Sequence, residues 1–496
     1  MHVRIYMLVS LACAAALVAS PVRAQAPQDQ PQPQTQDPNA SSENPSQPIP
    51  AIHSPLAGVN GNDQDDQQVP QQTVPDTTPL SGVEPISSGR APLDHNFIDP
   101  QFKIFSIADS DGLAANGNSG WGDFTSLLAG VDLHEASGIS NLMLSYLGGG
   151  TIAVGESAGS SVIQQLRANE SLSWQRTQLK FIDQLDLIPE ASFGYGGLGG
   201  GVPLPGGGSL GLQNGLAPGE SVLTTRGLRL SNTFLTEADI GLSARSSITI
   251  AGGYSLLHYF DNDFLDFGDA IAQVGFNRQL TRKDTFAVFY RFSGYRYSGF
   301  NQSINDNSFQ VSYGRRVTGR MSFQITGGPD IAFVTEPLTT TSTAAPASTA
   351  QSRVLYWSLS SVLNYRLERT GFGVSYNHGV SGGSGVLAGA IANTAQGSAD
   401  RQLTRQVTGR AYVGYSHNTG INGLATLTPG IQSYGYWFGG VGFTRTFGRE
   451  LELDLDYLLQ HQTSNGIFIV GTTPITSITR QQISIGFSWH RLPISF

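Results

Sequence analysis

The sequence has 496 residues, of which 39% are apolar and only 13% are charged, and it contains 60 glycines. Soluble proteins usually carry about 25% charged residues, so this composition argues against an ordinary water-soluble domain. The formal net charge of -9 and the pI near 5.4 argue against nucleic acid as a partner.

The first 24 residues have the pattern of a secretory signal peptide. Arg4 supplies the positive start, an apolar stretch runs from Met7 to Ala19, and Val22-Arg23-Ala24 forms a small-residue cleavage site. Cys13, the only cysteine, lies inside this segment, so we expect neither a disulfide nor a thiolate metal site in the mature protein. Lipidation of Cys13 is disfavoured because the apolar stretch continues past it.

Residues 25–95 are rich in Gln, Pro, Asp, Ser and Thr and contain few large apolar side chains. A segment of this composition cannot bury enough apolar surface to offset the entropy lost on folding. We predict a disordered, semi-extended segment located in the periplasm.

A repeating hairpin pattern begins near Asn96 and continues to the end of the chain, which defines a third region, residues 96–496. Its clearest copy spans residues 433–463, where the second arm alternates between an apolar and an acidic face: Leu451, Leu453, Leu455 and Tyr457 against Glu452, Asp454 and Asp456. Successive side chains of a strand point to opposite faces, so one face meets an apolar medium and the other meets water. The arms are about 10–13 residues long, which exceeds the usual strand of a soluble sandwich and suits a tilted strand that crosses a bilayer.

The other strands follow in chain order. They are predicted over Asn96–Ala108, Gly122–His134, Ile139–Val154, Ser161–Trp174, Gln178–Pro189, Leu228–Leu242, Ser247–Tyr259, Phe267–Leu280, Thr285–Tyr297, Ser308–Arg316, Arg320–Val334, Arg353–Leu367, Gly371–Val380, a pair around Thr404-Arg405-Gln406, the 433–463 hairpin and Arg480–Phe496.

Short polar turns alternate with longer connections along this series. The long ones are predicted at Ala191–Arg226, Thr335–Ser352, Ser381–Asn393, Asn418–Gln432 and Ser464–Ile478. Outer-membrane barrels have short periplasmic turns and long outer loops, so both ends of the barrel region are expected in the periplasm. The strand number must then be even. The predicted fold class is all-β, a transmembrane antiparallel up-and-down barrel of about 18 strands, or 16 if two weak ones are dropped.

The last residues carry a separate signal. Leu492, Ile494 and Phe496 alternate and end on an aromatic residue, although Pro493 interrupts them. This ending resembles the C-terminal signal of proteins inserted by the barrel assembly machinery. The resemblance implies two partners, that machinery through Phe496 and outer-membrane lipid.

Two segments, RQLTRKDTFAVFYRFSGYRY (278–297) and SYGRRVTGRMSFQITGG (312–328), carry a family resemblance. They resemble outer-membrane β-barrels associated with exopolysaccharide export and exosortase systems. The resemblance covers about residues 121–496 and rests on the style of the turns, not on catalytic residues. It implies a barrel in the bacterial outer membrane with a link to envelope polysaccharide.

Three motifs suggest other chemistry, and each has a simpler explanation. Gly155-Glu156-Ser157-Ala158-Gly159 matches the esterase nucleophile elbow, which requires a helix after the serine, and a helix over Ser161–Ser171 would supply it. Gly194-Tyr195-Gly196-Gly197-Leu198-Gly199 matches a dinucleotide-binding fingerprint but lies in a glycine tract without a following helix. Asn377-His378 with Ser381 or Ser384 has the residue types of an outer-membrane phospholipase, with His378 on the lipid-facing parity.

The opposite, water-facing parity of the strands carries charges of both signs. We predict that these side chains line the lumen: Arg229, Glu237, Asp239, Arg291, Arg366, Glu452, Asp454 and Asp456. Lumen charges tune which solutes pass, and mixed signs predict no strong ion preference. We assign no catalytic residue, cofactor site or metal site. The leading hypothesis is a channel for small hydrophilic solutes or a barrel linked to envelope polysaccharide; the alternatives are a lipid hydrolase using His378 and a secreted all-β adhesin or binding module.

Overall fold

The computed structural model describes residues 96–110, 121–154, 161–189, 228–260, 265–298, 302–337, 349–382, 387–421, 433–470, 473–491 and 494–495. The predicted signal peptide, the 25–95 segment, both glycine-rich motifs, Ser384 and Phe496 lie outside these residues. Within the described part, no helix is long and apolar enough to cross a membrane.

The described residues form one antiparallel sheet. In chain order the strands are β1 (Phe97–Asp109), β2 (Gly122–Ser137), β3 (Ser140–Val154), β4 (Ser161–Ser173), β5 (Thr177–Pro189), β6 (Leu228–Ser243), β7 (Ser246–Tyr259), β8 (Phe267–Gln279), β9 (Asp284–Tyr297), β10 (Ser303–Thr318), β11 (Met321–Pro337), β12 (Thr349–Arg366), β13 (Thr370–Ser381), β14 (Ala390–Gln402), β15 (Val407–Gly420), β16 (Ser433–Phe447), β17 (Leu451–Val470), β18 (Thr473–His490) and β19 (Ile494–Ser495).

Each long strand pairs with its neighbours in the sequence, and β18 pairs with β1. That last pairing closes the sheet into a barrel of eighteen long strands among the described residues, which confirms the predicted fold class. The two-residue β19 adds a short pairing to the start of β1, where Ile494 lies opposite Ile98. Strand β1, one of the two weakly predicted strands that a count of 16 would drop, therefore closes the barrel, because without it the sheet would have an open edge.

The two faces of the barrel differ as the sequence periodicity predicts. On β17, Leu455 and Tyr457 are exposed, whereas Asp454 and Asp456, which alternate with them along the strand, are partly buried. Directly paired residues share a face, and Leu455 is paired with Phe443 and Ile485, which are equally exposed. The same register continues around the sheet. It produces an outer belt of exposed apolar side chains that is far larger than a water-soluble surface tolerates.

Aromatic side chains lie at the border of this belt nearest the short turns. Phe276, Phe323, Phe372 and Trp489 are outward-facing residues that lie within a few positions of the short turns. Farther from those turns, Tyr415 and Trp437 are paired with each other and are both exposed. Rows of aromatic residues at the two membrane interfaces are typical of outer-membrane barrels.

The structure shortens four of the five predicted long connections. In the predicted Thr335–Ser352 connection, β11 extends to Pro337 and β12 begins at Thr349, and in the predicted Asn418–Gln432 connection β15 extends to Gly420. The other two corrections are larger. Residues 464–478 were predicted as a long loop, but β17 continues to Val470 and β18 begins at Thr473, with a shift of register between Thr463 and Phe468. The segment from Ile467 to Val470 consists of β-branched and aromatic residues, which favour strands, so pairing resumes after a polar interruption. The Ser381–Asn393 connection is shorter than predicted, because Ala390 already begins β14.

The last strand also differs from its prediction. A single strand was predicted over Arg480–Phe496, but β18 ends at His490 and only Ile494 and Ser495 pair again. Proline has no N–H to donate to the ladder, and Pro493 precedes this second pairing.

One carboxylate lies on the outer face at the middle of its strand. Asp183 is the seventh residue of β5 and accepts a hydrogen bond from Asn232 Nδ2 of β6 at 2.9 Å. Its cross-strand partner is Phe234, which is 39% exposed on the outer face. The Asn232 amide is therefore its polar partner in an apolar environment.

On the prediction that the apolar outer face meets lipid, replacing both Asp183 and Asn232 with leucine is expected to raise the free energy of unfolding by about 1–2 kcal/mol, because a carboxylate in contact with hydrocarbon is costly. Urea unfolding in phospholipid vesicles measures this difference. A double variant that is less stable than the native chain would contradict the expectation and would indicate that another protein covers this face.

Candidate pore lining and constriction

The inner face carries buried polar networks. In the first, Lys180 of β5 forms ion pairs with Glu237 Oε1 at 2.7 Å and with Asp239 Oδ2 at 3.1 Å, both on β6. Thr249 Oγ1 of β7 donates to Asp239 Oδ1 at 2.7 Å, and Asn277 Nδ2 of β8 donates to Thr249 at 2.9 Å. Four neighbouring strands are thus connected through their inward side chains.

A second network joins β15 to β17 across the intervening strand β16. Arg410 Nη2 contacts both carboxylate oxygens of Asp456, at 2.6 and 2.7 Å. Gly442 of β16 lies between them in the register, and a Cβ there would collide with Asp456 and lie 2.6 Å from Arg410 Nε. Glycine at this position makes room for the ion pair to pass over the middle strand. Thr444 Oγ1 donates to Asp454 beside it at 2.7 Å.

The third network lies where the barrel closes. Arg480 of β18 and Asp109 of β1 form a buried bidentate ion pair, with Arg480 Nε at 2.9 Å from both carboxylate oxygens. The side chains are 1% and 0% exposed. Gln482 Nε2 adds a donor to Asp109 at 3.3 Å. This pair joins the first strand of the barrel to the last.

The inner wall of strands β8–β11 is strongly acidic. Asp269, Asp306 and Asp330 are 6%, 3% and 0% exposed. Arg291 of β9 is paired with Ser308, which is paired in turn with Asp330, and its charge acts on both Asp269 and Asp306.

Hydroxyl and amide groups hold one of these carboxylates in place. Ser308 and Ser358 both donate to Asp330 Oδ1, the second at 3.2 Å. Gln310 Nε2 donates to both serine hydroxyls, at 2.6 and 2.8 Å. The carboxylate of Asp330 on β11 is thus held in position by side chains of the neighbouring strands β10 and β12.

A cluster of buried apolar side chains lies beside this acidic wall, at the end of the strands away from the short turns. We call it the apolar ledge; it contains Ile304, Ala332, Tyr295 and Tyr297. Moving along the inward positions of β10, Ile304 comes two residues before Asp306, and on β11 Ala332 comes two residues after Asp330. Tyr295 and Tyr297 of β9 join them in one buried cluster. The ledge and the acidic wall occupy adjacent levels of the same strands.

The connection between β13 and β14 packs on this ledge. Ala388 belongs to the same buried cluster, and Leu387 is also only 1% exposed. Tyr297 Oη donates to the carbonyl oxygen of Gly382 at 2.9 Å, between residues 85 positions apart. A Cβ on Gly382 would lie 2.6 Å from the ring of Phe267, so a glycine fits this close approach. We call Gly382 and residues 387–389 the constriction segment, because they lie against inward-facing residues of β9–β11.

All eight predicted lumen residues lie at inward positions of the register. The structure brings Glu237 and Asp239 together through Lys180, and it places Asp456 with Arg410. Arg366 is the last residue of β12, at the short-turn end, and is exposed. Their contact with a passing solute stays a prediction.

The cations that complete these networks, namely Lys180, Arg410 and Arg480, were not predicted to line the lumen, and the first strand was predicted to end at Ala108, one residue before Asp109. Each has the inward parity of its strand, which is a signal that the sequence contains. The pairing itself depends on the cross-strand register, which the alternation of a single strand does not specify.

The residues of the phospholipase-like motif lie on different faces of β13. Asn377 and His378 lie on opposite faces of β13: Asn377 accepts from Ser360 on the inner face, while His378 stacks on Trp357 at 3.9 Å on the outer face. Ser381 has the inward parity, so the predicted Asn-His-Ser arrangement is not assembled. His378 Nδ1 instead lies 2.6 Å from Asn393 Oδ1.

The esterase motif lacks its required helix, because residues after Ser161 form β4, a strand paired on both sides. In the described part of the chain, no group of three or more His, Cys, Asp or Glu side chains is placed to hold a metal ion.

No protein-family model and no curated protein matches this sequence. Solved structures do match it. OpdQ of Pseudomonas aeruginosa is 10% identical with a TM-score of 0.40, over 81% of this chain and 100% of that one. OccK2 (OpdF) of the same organism, solved in complex with glucuronate, is 9% identical with a TM-score of 0.41, over 81% and 100%. The siderophore receptor PiuA from Acinetobacter baumannii is 9% identical with a TM-score of 0.41, over 81% and 82%. Because these identities and TM-scores are low, the fold assignment rests on the strand pairing of this chain itself.

Proposed function

We propose that this protein is a passive outer-membrane channel for small hydrophilic solutes. The observation that supports the proposal is the closed sheet with an exposed apolar outer belt and a polar, charged inner face. Such a barrel satisfies its backbone hydrogen bonds internally, which a membrane-spanning structure must do. A barrel of about 16–18 strands has an interior too wide for its own side chains to fill, which suits a channel.

The constriction segment supports a selective pore over a wide open one. A loop that packs on one side of the inner wall narrows the path and directs solutes along what remains of the lumen. Here it lies next to the acidic wall of β8–β11, so solutes would pass charged and hydroxyl groups close to it. The predicted periplasmic N-terminal segment and the insertion by the assembly machinery through Phe496 belong to the same proposal.

Planar-bilayer recording on the purified, refolded full chain tests the proposal. We expect stepwise single-channel currents in potassium chloride, together with swelling of liposomes in isotonic solutions of small sugars or amino acids. Folding is checked on the same preparation by the shift in gel mobility on boiling. A folded barrel that inserts into the bilayer and carries no current and no solute would refute the channel.

Tyr297→Phe is expected to increase the single-channel current and its fluctuations. The variant removes the hydrogen bond to Gly382, which is worth about 1 kcal/mol, so the constriction segment leaves the wall more often.

Tyr313→Phe is the matched control. Its hydroxyl donates to Asp284 at 2.7 Å on the outer face near a short turn, so its loss leaves the lumen unaltered. Equal currents from the two variants and the native chain would show that the hydrogen bond from Tyr297 to Gly382 does not hold the constriction segment in place.

Export of envelope polysaccharide is the second candidate. The observation that favours it is the style of the turns after β8 and β10, which carries the family resemblance. Block of the single-channel current by acidic polysaccharide fragments, but not by neutral oligosaccharides of the same length, would favour this function. Absence of block by either would exclude it in favour of small solutes.

A further inference from the structure

A groove lies on the outer face of the barrel, where lipid is expected. It has a volume of about 580 Å³, and its six lining residues come from β9–β12: Tyr290, Asn307, Phe309, Ile331, Phe333 and Arg353. All six have the outward parity of their strands. Phe309 is 53% exposed, and the ring of Tyr290 packs 4.9 Å from it. The groove is therefore a feature of the membrane-facing surface and no part of the lumen.

The groove is apolar toward the middle of the barrel and basic at one end. Arg353 is exposed and lies opposite Phe333 in the register, close to the end of β11 away from the short turns. Arg296 is exposed at the same end of β9, and its Nη2 donates to Asn305 at 2.9 Å. Among the described residues, neither arginine forms an ion pair with a carboxylate.

The two arginines are near each other in the register. Phe333 is paired with Arg353 on one side and with Asn305 on the other. Because neighbouring strands are about 4.8 Å apart, the backbones of Arg353 and Asn305 are separated by about 10 Å. Both guanidinium groups can therefore approach an anion placed over Phe333, and guanidinium groups bind phosphate through paired hydrogen bonds.

We propose that this groove binds lipid A, the phosphorylated glycolipid of the outer leaflet, with phosphate on Arg296 and Arg353 and an acyl chain against Phe309 and Ile331. The proposal rests on the orientation in the proposed function, in which the long connections are extracellular and the basic end meets the outer leaflet. Tyr290 Oη donates to Asn307 at 2.7 Å, which satisfies the polar groups inside the groove and leaves an apolar wall for the chain.

Native mass spectrometry of the folded full chain with bisphosphorylated lipid A tests the site. We expect a retained adduct, and we expect Arg296→Gln with Arg353→Gln to weaken its retention about tenfold, since both charge-assisted contacts are lost. Ile331→Trp, which fills the groove without changing a charge, should weaken it too. Arg278→Gln is the matched control, because Arg278 is an exposed outward arginine at the short-turn end of β8.

Equal retention by the native chain and the double arginine variant would overturn the site. Equal retention of phosphatidylglycerol and lipid A would overturn the choice of lipid, because it would indicate general adsorption to the belt. Conductance of the same preparation separates the two proposals. Lipid A binding without current would refute the channel and keep the groove, and current without specific binding would refute the groove and keep the channel.

Discussion

Asp109→Ala is expected to lower the free energy of unfolding by about 3–5 kcal/mol, because it leaves the guanidinium of Arg480 buried without its carboxylate. Arg480 is 1% exposed, so water cannot replace the lost partner. Urea unfolding in phospholipid vesicles measures the change, and the temperature at which the folded band disappears on an unboiled gel gives an independent estimate.

Glu368→Ala is the control for this variant. Glu368 lies 3.8 Å from Arg320, and the two side chains are 86% and 59% exposed, so its removal should cost less than about 1 kcal/mol. The double change Asp109→Leu with Arg480→Met should recover much of the loss, since an apolar pair removes the uncompensated charge. Equal stability of Asp109→Ala and Glu368→Ala would show that the closing ion pair is not structural.

The position of this ion pair explains why its effect should be large. Every other pairing of long strands joins neighbours in the sequence, but β1 and β18 are separated by 371 positions at Asp109 and Arg480. Closing a loop of this length costs more conformational entropy than any hairpin of the barrel, so the contacts at the seam must offset that cost. The seam is fixed at its two ends, by the ion pair at one and by β19, paired with Phe97 and Ile98, at the other.

The strands were predictable because their signal is local. Alternation of side chains along one strand defines both its existence and its two faces, and the acidic and apolar faces of β17 appear in the structure as the sequence indicates. The boundaries were less certain where polar residues interrupt a strand. Ser464 to Gly466 read as the start of a loop, but the apolar segment after them pairs again with β18.

The inner networks were only partly predictable, because they depend on register. The carboxylates of Glu237 and Asp456 were predicted on the water-facing parity of their strands, but a slip of two residues would keep that parity and give them other partners. Lys180 and Arg410 become their partners only through the observed pairing. Nothing in the sequence predicted the inward packing of the constriction segment, because Leu387 and Ala388 resemble any apolar residues of a loop until their contacts are known.

Arg291→Gln is expected to make the channel prefer cations. The native inner face carries both signs of charge, and the sequence predicts no strong preference. On β8–β11, however, Arg291 is the cation whose charge acts on both Asp269 and Asp306. Its removal leaves a wall of one sign beside the constriction segment. Such walls raise the local concentration of counter-ions by on the order of tenfold or more, so cation permeability should rise severalfold over that of chloride.

The reversal potential across a potassium chloride gradient measures this change, and Arg366→Gln provides the matched control. Arg366 also has the inward parity, but it is exposed at the short-turn end of β12 and is far along the strand from the acidic wall. Screening over a Debye length of about 10 Å at 0.1 M salt limits its influence on the narrow part of the path. A shift in reversal potential that is the same for both variants would mean that ions are selected by the total charge of the lumen. A larger shift for Arg291→Gln would place selection at the acidic wall, which lies next to the constriction segment.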